Sequence, residues 1–214
     1  MKKSLIILAG GLGKRVNFYF KPLLKICDKT LIEYLLERLS VPREFDETII
    51  VVKSVSQKAK IEGLVRRFNV KIVVDSKDFK DGPLVAMYTG AKYVSSDTVA
   101  VLATDYPLMT IDVINKLINK LSECDASIPK WPSGYIEPLV SAYWSKKLLK
   151  ASQYALFKGL RRARALLSFL EKPCFINVYC LASEPEKVFL NVNTFRDLKL
   201  ARKLLRSECS DRGS

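Results

Sequence analysis

The feature that most constrains this chain is an apolar run near its start that leads directly into glycines and two cations. Ser4–Ala9 reads SLIILA, and Gly10–Arg15, with the sequence GGLGKR, follows at once. A short, continuous apolar run predicts a buried strand. Glycines carry no Cβ, so a ligand can approach their backbone N–H groups closely. With Lys14 and Arg15 beside them, the glycines predict a loop that binds a phosphate chain.

This loop matches neither of the two commonest phosphate-binding patterns. In the Walker pattern, Leu8 would have to be a glycine and Arg15 a serine or threonine. The dinucleotide pattern G-x-G-x-x-G accommodates Gly11 and Gly13, but its third position is Val16. A tight turn with solvated cations is the alternative to a phosphate site.

The composition limits the chemistry that is open to the chain. Histidine is absent, which excludes His-based triads and His-rich metal sites. The five cysteines form no C-x-x-C pair, so we expect reduced thiols, with a Cys174–Cys180 pairing as the alternative. The net charge of +14 fits an anionic small molecule or a nucleic acid.

No apolar run approaches the ~18 residues of a membrane-spanning helix. The basic start, Met1–Ser4, is not followed by a small-residue cleavage pattern. We therefore expect a cytoplasmic protein that does not bind membranes.

Short β-branched runs alternate with helical patterns through the first half of the chain. This alternation predicts an α/β fold with a mostly parallel sheet that is covered by helices on both faces. The predicted strands are Ser4–Ala9, Thr48–Val52, Val70–Val74, Thr98–Ala103, Ala126–Ile128, Leu139–Tyr143 and Lys187–Val192. The predicted helices are Leu31–Leu39, Ser56–Phe68 with Ser56 as its cap, Gly82–Tyr93, Ile111–Leu121, Leu160–Leu170, and Phe195–Leu205 capped by Asn193-Thr194.

Three candidate ligand-binding features, the glycine loop, Asp75 and Asp105, each follow a predicted strand. Ligands of parallel sheets bind beyond the carboxyl ends of the strands, so these features can share one cleft. Asp105 is a candidate magnesium ligand, or else it caps the turn before Pro107. Asp75 accepts hydrogen bonds from a base or ribose, or else it is a turn residue. Lys21, held by Pro22, points toward the loop or into solvent.

Four motifs follow one another along the chain: Leu8–Arg15 (LAGGLGKR), Lys21–Leu23 (KPL), Asp81–Leu84 (DGPL) and Thr104–Pro107 (TDYP). In this order they resemble the nucleotidyltransferases with an LAGG-x-G-x-R loop. Gly82–Leu84, Glu137–Tyr143, Leu160–Leu170 and Phe189–Thr194 are similar to segments of the molybdenum cofactor guanylyltransferases, which belong to the MobA-like NTP transferases.

The resemblance implies Mg²⁺-dependent transfer of GMP from GTP to a phosphorylated pterin, molybdopterin, with release of pyrophosphate. Such chemistry needs positioning and charge neutralisation rather than a covalent nucleophile. It also implies a three-layer, Rossmann-like nucleotidyltransferase fold in a single domain, 1–214. Residues 1–124 would bind the nucleotide and 125–214 the acceptor. We expect a monomer or a weak homo-oligomer.

The resemblance also implies roles for individual residues. Arg15, Lys21 and Asp105 would be catalytic, and Asp105 would hold Mg²⁺. Asp75 would contact the guanosine, and the Arg161, Arg162 and Arg164 cluster either holds the pterin phosphate or is a solvated face. The nucleotide-binding residues would be Leu8, Ala9, Gly10, Gly11, Gly13, Lys14, Lys21, Asp75, Asp105, Asn191 and Asn193.

Two positions depart from the family pattern. Lys53 stands about where the family often has an asparagine near the nucleotide, and Val16-Asn17 replaces the usual Met-Gly or Leu-Gly. The first departure leaves base selection open, and the second leaves the far side of the loop open.

Three other functions remain as alternatives. Lys21–Leu39 and Asn193–Leu205 are also similar to guanylyltransferases that act on adenosylcobinamide phosphate, although Gly82–Leu84 and Glu137–Tyr143 favour the molybdenum family. A cytidylyltransferase acting on the molybdenum cofactor is close as well. A nucleic-acid-binding protein would explain the charge, but the aromatic residues form no stacking platform, so nucleic acid is not an expected partner.

Overall fold

The computed structural model describes residues 2–13 and 19–205. The predictions that concern Lys14, Arg15, Val16-Asn17 and Cys209 lie outside the described residues.

A seven-stranded sheet forms the centre of the protein, in the order β11-β9-β10-β8-β1-β6-β7. Neighbouring strands are parallel except around β10, which is antiparallel to both β8 and β9. Two small hairpins, β2–β3 and β4–β5, lie outside this sheet. The strands are β1 Lys3–Leu8, β2 Leu12–Gly13, β3 Tyr19–Phe20, β4 Lys25–Ile26, β5 Lys29–Thr30, β6 Glu47–Val52, β7 Lys71–Val74, β8 Thr98–Ala103, β9 Ala126–Lys130, β10 Val140–Trp144 and β11 Pro173–Asn177.

Helices flank the sheet, as the alternating pattern predicts, and the predicted fold class is confirmed. One group of helices, α3 with α5, packs together and on β1 and β10, whereas α4 packs on β8, β9 and β10. The α-helices are α1 Leu31–Arg38, α2 Val55–Val65, α3 Pro83–Ala91, α4 Ile111–Asn119, α5 Ser145–Phe157, α6 Val178–Leu181, α7 Pro185–Val188 and α8 Phe195–Leu204. Short 3₁₀ helices cover Lys21–Leu23, Arg66–Phe68, Lys120–Ser122 and Ala163–Phe169.

Burial explains why the central strands read as continuous apolar runs. β1 and β8 are each covered on both sides, and every residue of β8 is buried. A second, smaller apolar cluster packs α8 against α1 and the β4 hairpin, around Leu31, Ile26 and Leu198. This second cluster brings the end of the described chain back to the segment that follows the glycine loop.

Several local predictions are confirmed and others are wrong. Thr194 caps α8 and forms a capping box with Asp197. The cap of α2 is Ser54 and not Ser56, because the side chain of Ser54 accepts the hydrogen bond from the Gln57 N–H. The predicted helix Leu160–Leu170 is a shorter 3₁₀ segment.

The predicted strand Lys187–Val192 does not form. Pro185 starts the short helix α7 in its place, since proline is well tolerated in a first turn. The backbone N–H of Val192 then donates to the carbonyl of Asp105 at 2.7 Å rather than to a neighbouring strand. Helix α5 and strand β11 were not predicted at all.

Of the four cysteines that the structure describes, three follow the expectation and one does not. Cys124, Cys174 and Cys180 are free, so the alternative pairing of Cys174 with Cys180 does not form. Cys27 is disulfide-bonded, and the expectation of a reduced thiol is wrong there. Scattered positions in a sequence do not show which thiol the fold brings against another.

In the part of the chain that the structure describes, no helix combines the length and the apolar character needed to cross a membrane.

Two helical glycines give a test of how tightly α3 packs on the sheet. A Cβ on Gly90 would lie 2.7 Å from Cγ2 of the fully buried Ile6 in β1, whereas a Cβ on Gly63 in α2 would meet nothing within 4 Å. Gly90→Ala should therefore lower the free energy of unfolding by about 1–3 kcal/mol through overpacking. Gly63→Ala should raise it by about 0.5–1 kcal/mol through helix propensity. Urea unfolding of both variants checks this, and equal effects would contradict the packing.

Candidate active site

The carboxyl ends of four neighbouring parallel strands meet around one cavity. The residues that follow β1, β6, β7 and β8 all line it, as expected for a ligand site at this edge of a parallel sheet. The cavity has a volume of about 280 Å³. It is lined by Leu8, Gly10, Gly11, Lys21, Lys53, Asp75, Gly82, Pro83, Ala86, Ala103, Thr104, Asp105 and Leu139.

At one end of the cavity, the ammonium group of Lys21 holds two distant segments together. Its Nζ donates to Asp105 Oδ2 at 2.8 Å and to Asn193 Oδ1 at 2.7 Å. Lys21 is only 9% exposed, and Pro22 follows it in a 3₁₀ turn that fixes its backbone. The lysine therefore points inward, and the sequence-based alternative of a solvated lysine is wrong.

Two buried oxygens, one on Asp105 and one on a residue beside Tyr106, lack a hydrogen-bond partner among the described residues. They are Asp105 Oδ1 and Asn191 Oδ1. A buried acceptor without a partner carries an uncompensated desolvation cost, so each is an open position for a ligand. Lys21 donates to Asp105 Oδ2, so Oδ1 is the atom of this carboxylate that has no partner among the described residues.

A buried carboxylate joins the Lys21 end of the cavity to the second half of the chain. Glu137, only 6% exposed, accepts from the Tyr106 hydroxyl at 2.7 Å and from the Trp131 Nε1–H at 2.9 Å. Burial and the nearby Glu137 charge raise the pKa of Tyr106 well above its usual range, so its hydroxyl stays protonated as a donor. This contact ties the residue after Asp105 to the segment that begins β10.

At the other end of the cavity lies a second carboxylate, beside a lysine. Asp75 follows β7 and Lys53 follows β6, and the register pairs Val52 with Val74, so the two residues are neighbours. Burial raises the pKa of Asp75 to about 6, and the Lys53 charge opposes that rise. Its Oδ1 atom is buried without a partner among the described residues. The Lys53 ammonium contacts Asp81 Oδ2 at 3.0 Å.

A glycine allows the start of α3 to pack closely against the backbone of Arg161. A Cβ on Gly82 would lie 2.8 Å from the backbone oxygen of Arg161, and the neighbouring Leu84 N–H donates to that same oxygen at 3.3 Å. Only glycine lets these two backbones approach so closely. The start of α3 is thereby fastened to the segment that carries the arginine cluster.

A wider cleft adjoins the cavity on this side. It has a volume of about 490 Å³ and shares Pro83 and Leu139 with the cavity. Arg162 and Arg164 line it. Its remaining lining residues include the exposed aromatic residues Tyr135 and Phe175, together with Lys130. Cations and aromatic rings together suit a planar anion.

The structure brings most of the predicted site residues together. Asn193 contacts Lys21, and Asn191 lies beside Tyr106. Ala9 does not line the cavity, because it is fully buried and its N–H donates to the carbonyl of Val51. Gly13 lies in the hairpin strand β2. Six predicted residues line the cavity itself: Leu8, Gly10, Gly11, Lys21, Asp75 and Asp105.

Lys53, Asp81, Tyr106 and Glu137 also belong to the site but were not predicted as site residues. Lys53 had a signal, since it directly follows the predicted strand at Thr48–Val52. The contact between Tyr106 and Glu137 had none, because the two residues are 31 positions apart and only the fold brings them together.

The donor set at Asp105 fits magnesium. Within residues 2–13 and 19–205, no group of three or more His, Cys, Asp or Glu side chains is placed to hold a metal ion. Mg²⁺ commonly needs just one or two protein carboxylates, with substrate phosphates and water completing its shell. The orphaned Asp105 Oδ1 would provide one such ligand.

Comparison with known proteins identifies the family. The model of the MobA-like NTP transferase domain matches residues 5–174. The chain belongs to this family. This MobA-like transferase is accordingly an enzyme, and its fold is that of the nucleotidyltransferases.

Individual relatives agree with this assignment. The MobA-like chain is 34% identical over 202 residues to a probable molybdenum cofactor guanylyltransferase of Methanosarcina mazei, covering 92% of this chain and 88% of the relative. It is 35% identical over 200 residues to a protein of the same name from Thermococcus gammatolerans, covering 90% of this chain and 95% of the relative.

Solved structures show the same fold. Molybdopterin-guanine dinucleotide biosynthesis protein A of Archaeoglobus fulgidus matches with a TM-score of 0.78 and 25% identity, covering 95% of this chain and 99% of that one. A 2-C-methyl-D-erythritol 4-phosphate cytidylyltransferase of Thermus thermophilus matches with a TM-score of 0.70 at 16% identity. The match covers 96% of this chain and 100% of that one. At that identity the second match shows the fold alone.

The raised pKa of Asp75 predicts a specific dependence of stability on pH. A carboxyl whose pKa rises on folding destabilises the folded protein once it ionises. The free energy of unfolding should therefore fall as the pH rises through the Asp75 pKa of about 6. Asp75→Asn removes the ionisation. The variant should therefore exceed the wild type in Tm at pH 7.5, and the difference should shrink toward pH 4. Thermal unfolding across this pH range checks the prediction, and a pH-independent difference would contradict it.

Proposed function

We propose that the protein transfers GMP from GTP to the phosphate group of molybdopterin in a magnesium-dependent reaction that releases pyrophosphate. The observation that carries the proposal is the polarity of the cavity. One end holds the buried Lys21 ammonium and the orphaned Asp105 oxygen, and the other holds the half-buried Asp75 carboxylate. The relatives named as guanylyltransferases support the choice of nucleotide and acceptor.

The triphosphate would lie at the Lys21 end. An ammonium with little exposure to water interacts strongly with phosphate oxygens because the local dielectric is low. Asp105 would hold Mg²⁺ through Oδ1, and the ion would supply positive charge to the phosphate oxygens. Asn191 and Asn193 adjoin this end. Lys14 and Arg15 keep their sequence-based role as phosphate contacts and lie outside the described residues.

The reaction would be a displacement at the α-phosphorus of GTP. An oxygen of the acceptor phosphate forms the new bond, the bond from the α-phosphorus to the bridging α–β oxygen breaks, and pyrophosphate leaves with that electron pair. Positioned positive charge is the main protein contribution to such a step. Lys21 is well placed for this because Asp105 and Asn193 fix its ammonium group.

The acceptor would lie in the adjoining cleft. Arg162 and Arg164 offer charge for a pterin phosphate, and Tyr135 and Phe175 offer ring faces for a planar pterin. The cleft shares Pro83 and Leu139 with the nucleotide cavity, so an acceptor there adjoins the nucleotide. Glu137 supports this arrangement by linking Trp131 to Tyr106, beside Asp105.

Asp105→Asn tests the metal assignment. Asparagine keeps an oxygen for Lys21 but removes the negative charge that attracts Mg²⁺, so pyrophosphate release from GTP and molybdopterin should fall by about 100-fold or more. Asp112→Asn, at an exposed position on α4, is the matched control and should keep wild-type activity. An Asp105→Asn enzyme with full activity would exclude Asp105 as the metal ligand.

A nucleotide panel tests the donor. GTP with Mg²⁺ should raise the Tm more than ATP or CTP does, because only guanine presents two adjacent donors to the Asp75 carboxylate. Differential scanning fluorimetry at equal nucleotide concentrations measures the shifts. A clear preference for CTP would identify a cytidylyltransferase instead. Sub-micromolar binding of duplex DNA at physiological salt would favour the nucleic-acid alternative.

A further inference from the structure

We propose that Lys53 determines the choice of guanine by donating a hydrogen bond from its ammonium group to O6 of the base, while Asp75 accepts from the base's N–H groups. This inference rests on the proposed function and concerns only how the base is selected.

Strand register places the two side chains next to each other. β6 and β7 are parallel, and their last residues, Val52 and Val74, are partners across the sheet. Lys53 and Asp75 each come one residue later and both line the cavity. They therefore present a cation and a carboxylate side by side, at the end of the cavity away from Lys21.

Guanine is the base whose edge matches this pair. Its N1–H and N2–H groups are donors, and a carboxylate can accept from both at once, while the adjacent O6 accepts from an ammonium. Adenine and cytosine both present an amino group where guanine has O6, and that donor would face the lysine. Each also presents a ring-nitrogen acceptor to the carboxylate. The pair therefore favours guanine and repels the other two bases.

The surroundings of Lys53 keep its ammonium near the mouth of the cavity. Its stem runs across Gly10, where a Cβ would come within 2.7 Å of Lys53 Cγ. Its Nζ contacts Asp81 Oδ2 at 3.0 Å, on the segment that leads into α3. Asp81 is mostly exposed, so this ion pair is weak and leaves the ammonium free to donate to a base as well.

The buried acceptor is already present. Asp75 Oδ1 lacks a partner among the described residues, as a carboxylate awaiting a donor would. The Lys53 charge lowers the pKa of Asp75 and the Asp81 charge raises it, while burial brings it to about 6. Asp75 is thus mainly ionised at neutral pH and can accept from both guanine donors.

A single-atom change in the nucleotide separates this role from a general effect of charge. Binding of GTP, ITP, CTP and 6-thio-GTP is measured by calorimetry with Mg²⁺, at pH 7.5 and without acceptor. ITP keeps O6, whereas 6-thio-GTP replaces it with sulfur, a weak acceptor. Lys53→Met roughly keeps the length of the side chain. It should weaken the binding of GTP and ITP by about tenfold and the binding of 6-thio-GTP far less.

Matched variants complete the test. Lys60→Met removes an exposed positive charge from α2 and should leave every affinity unchanged, whereas Lys53→Arg should keep the preference for GTP over 6-thio-GTP. If Lys53→Met weakens all four nucleotides equally while the wild type still prefers GTP, this inference is overturned and the proposed function stands. If the wild type prefers CTP, the proposed function fails, and the inference fails with it.

Discussion

The contact on which the site depends is the buried ammonium of Lys21, held between Asp105 and Asn193. These three residues come from the segment after the glycine loop, the end of β8 and the start of α8. A charge with so little exposure is costly unless it is paired, so each partner restricts where the others can lie. The small apolar cluster between α1 and α8 supports the same arrangement, because it packs the segment that contains Asn193 and α8 against the segment that follows Lys21. The contact leaves Asp105 Oδ1 without a hydrogen-bond partner among the described residues, and this is the atom to which the proposed function assigns Mg²⁺.

The parallel pairing of the strands arranges the residues of the cavity along one edge of the sheet. The glycines and Asp105 follow β1 and β8, and Lys53 and Asp75 follow β6 and β7. The distance between the Lys21–Asp105 end and the Asp75 end of the cavity is therefore set by the order of the strands. Antiparallel β10 continues the sheet on the far side of β8 and leads from the segment that contains Glu137. In the proposed function, nucleotide and acceptor would meet beside this segment.

Much of this arrangement was predictable, because buried parallel strands read as apolar runs and their ends mark the ligand edge. That rule marked Asp75 and Asp105 as candidates, whereas Lys21 was predicted from the proline that follows it and from the resemblance to the nucleotidyltransferases. Long-range contacts were not predictable: nothing local in Lys187–Val192 shows that the Val192 N–H donates to Asp105 and not to a strand. Helix α5, with five lysines and serines among its first eight residues, Ser145–Ser152, carries a weak apolar pattern, and its burial comes from α3. Lys53 was noted only as a departure from the family pattern, since its position next to Asp75 depends on the strand register.

The central claim is that one cavity binds GTP in one direction, with the base between Lys53 and Asp75 and the triphosphate at Lys21 and Asp105. A crystal structure of the protein with GTP and Mg²⁺ tests this most directly. The account predicts guanine within hydrogen-bond distance of Asp75, and a magnesium ion that bridges the phosphates and Asp105. A nucleotide bound in the reverse direction, or one seated in the cleft beside Arg162 and Arg164, would contradict it.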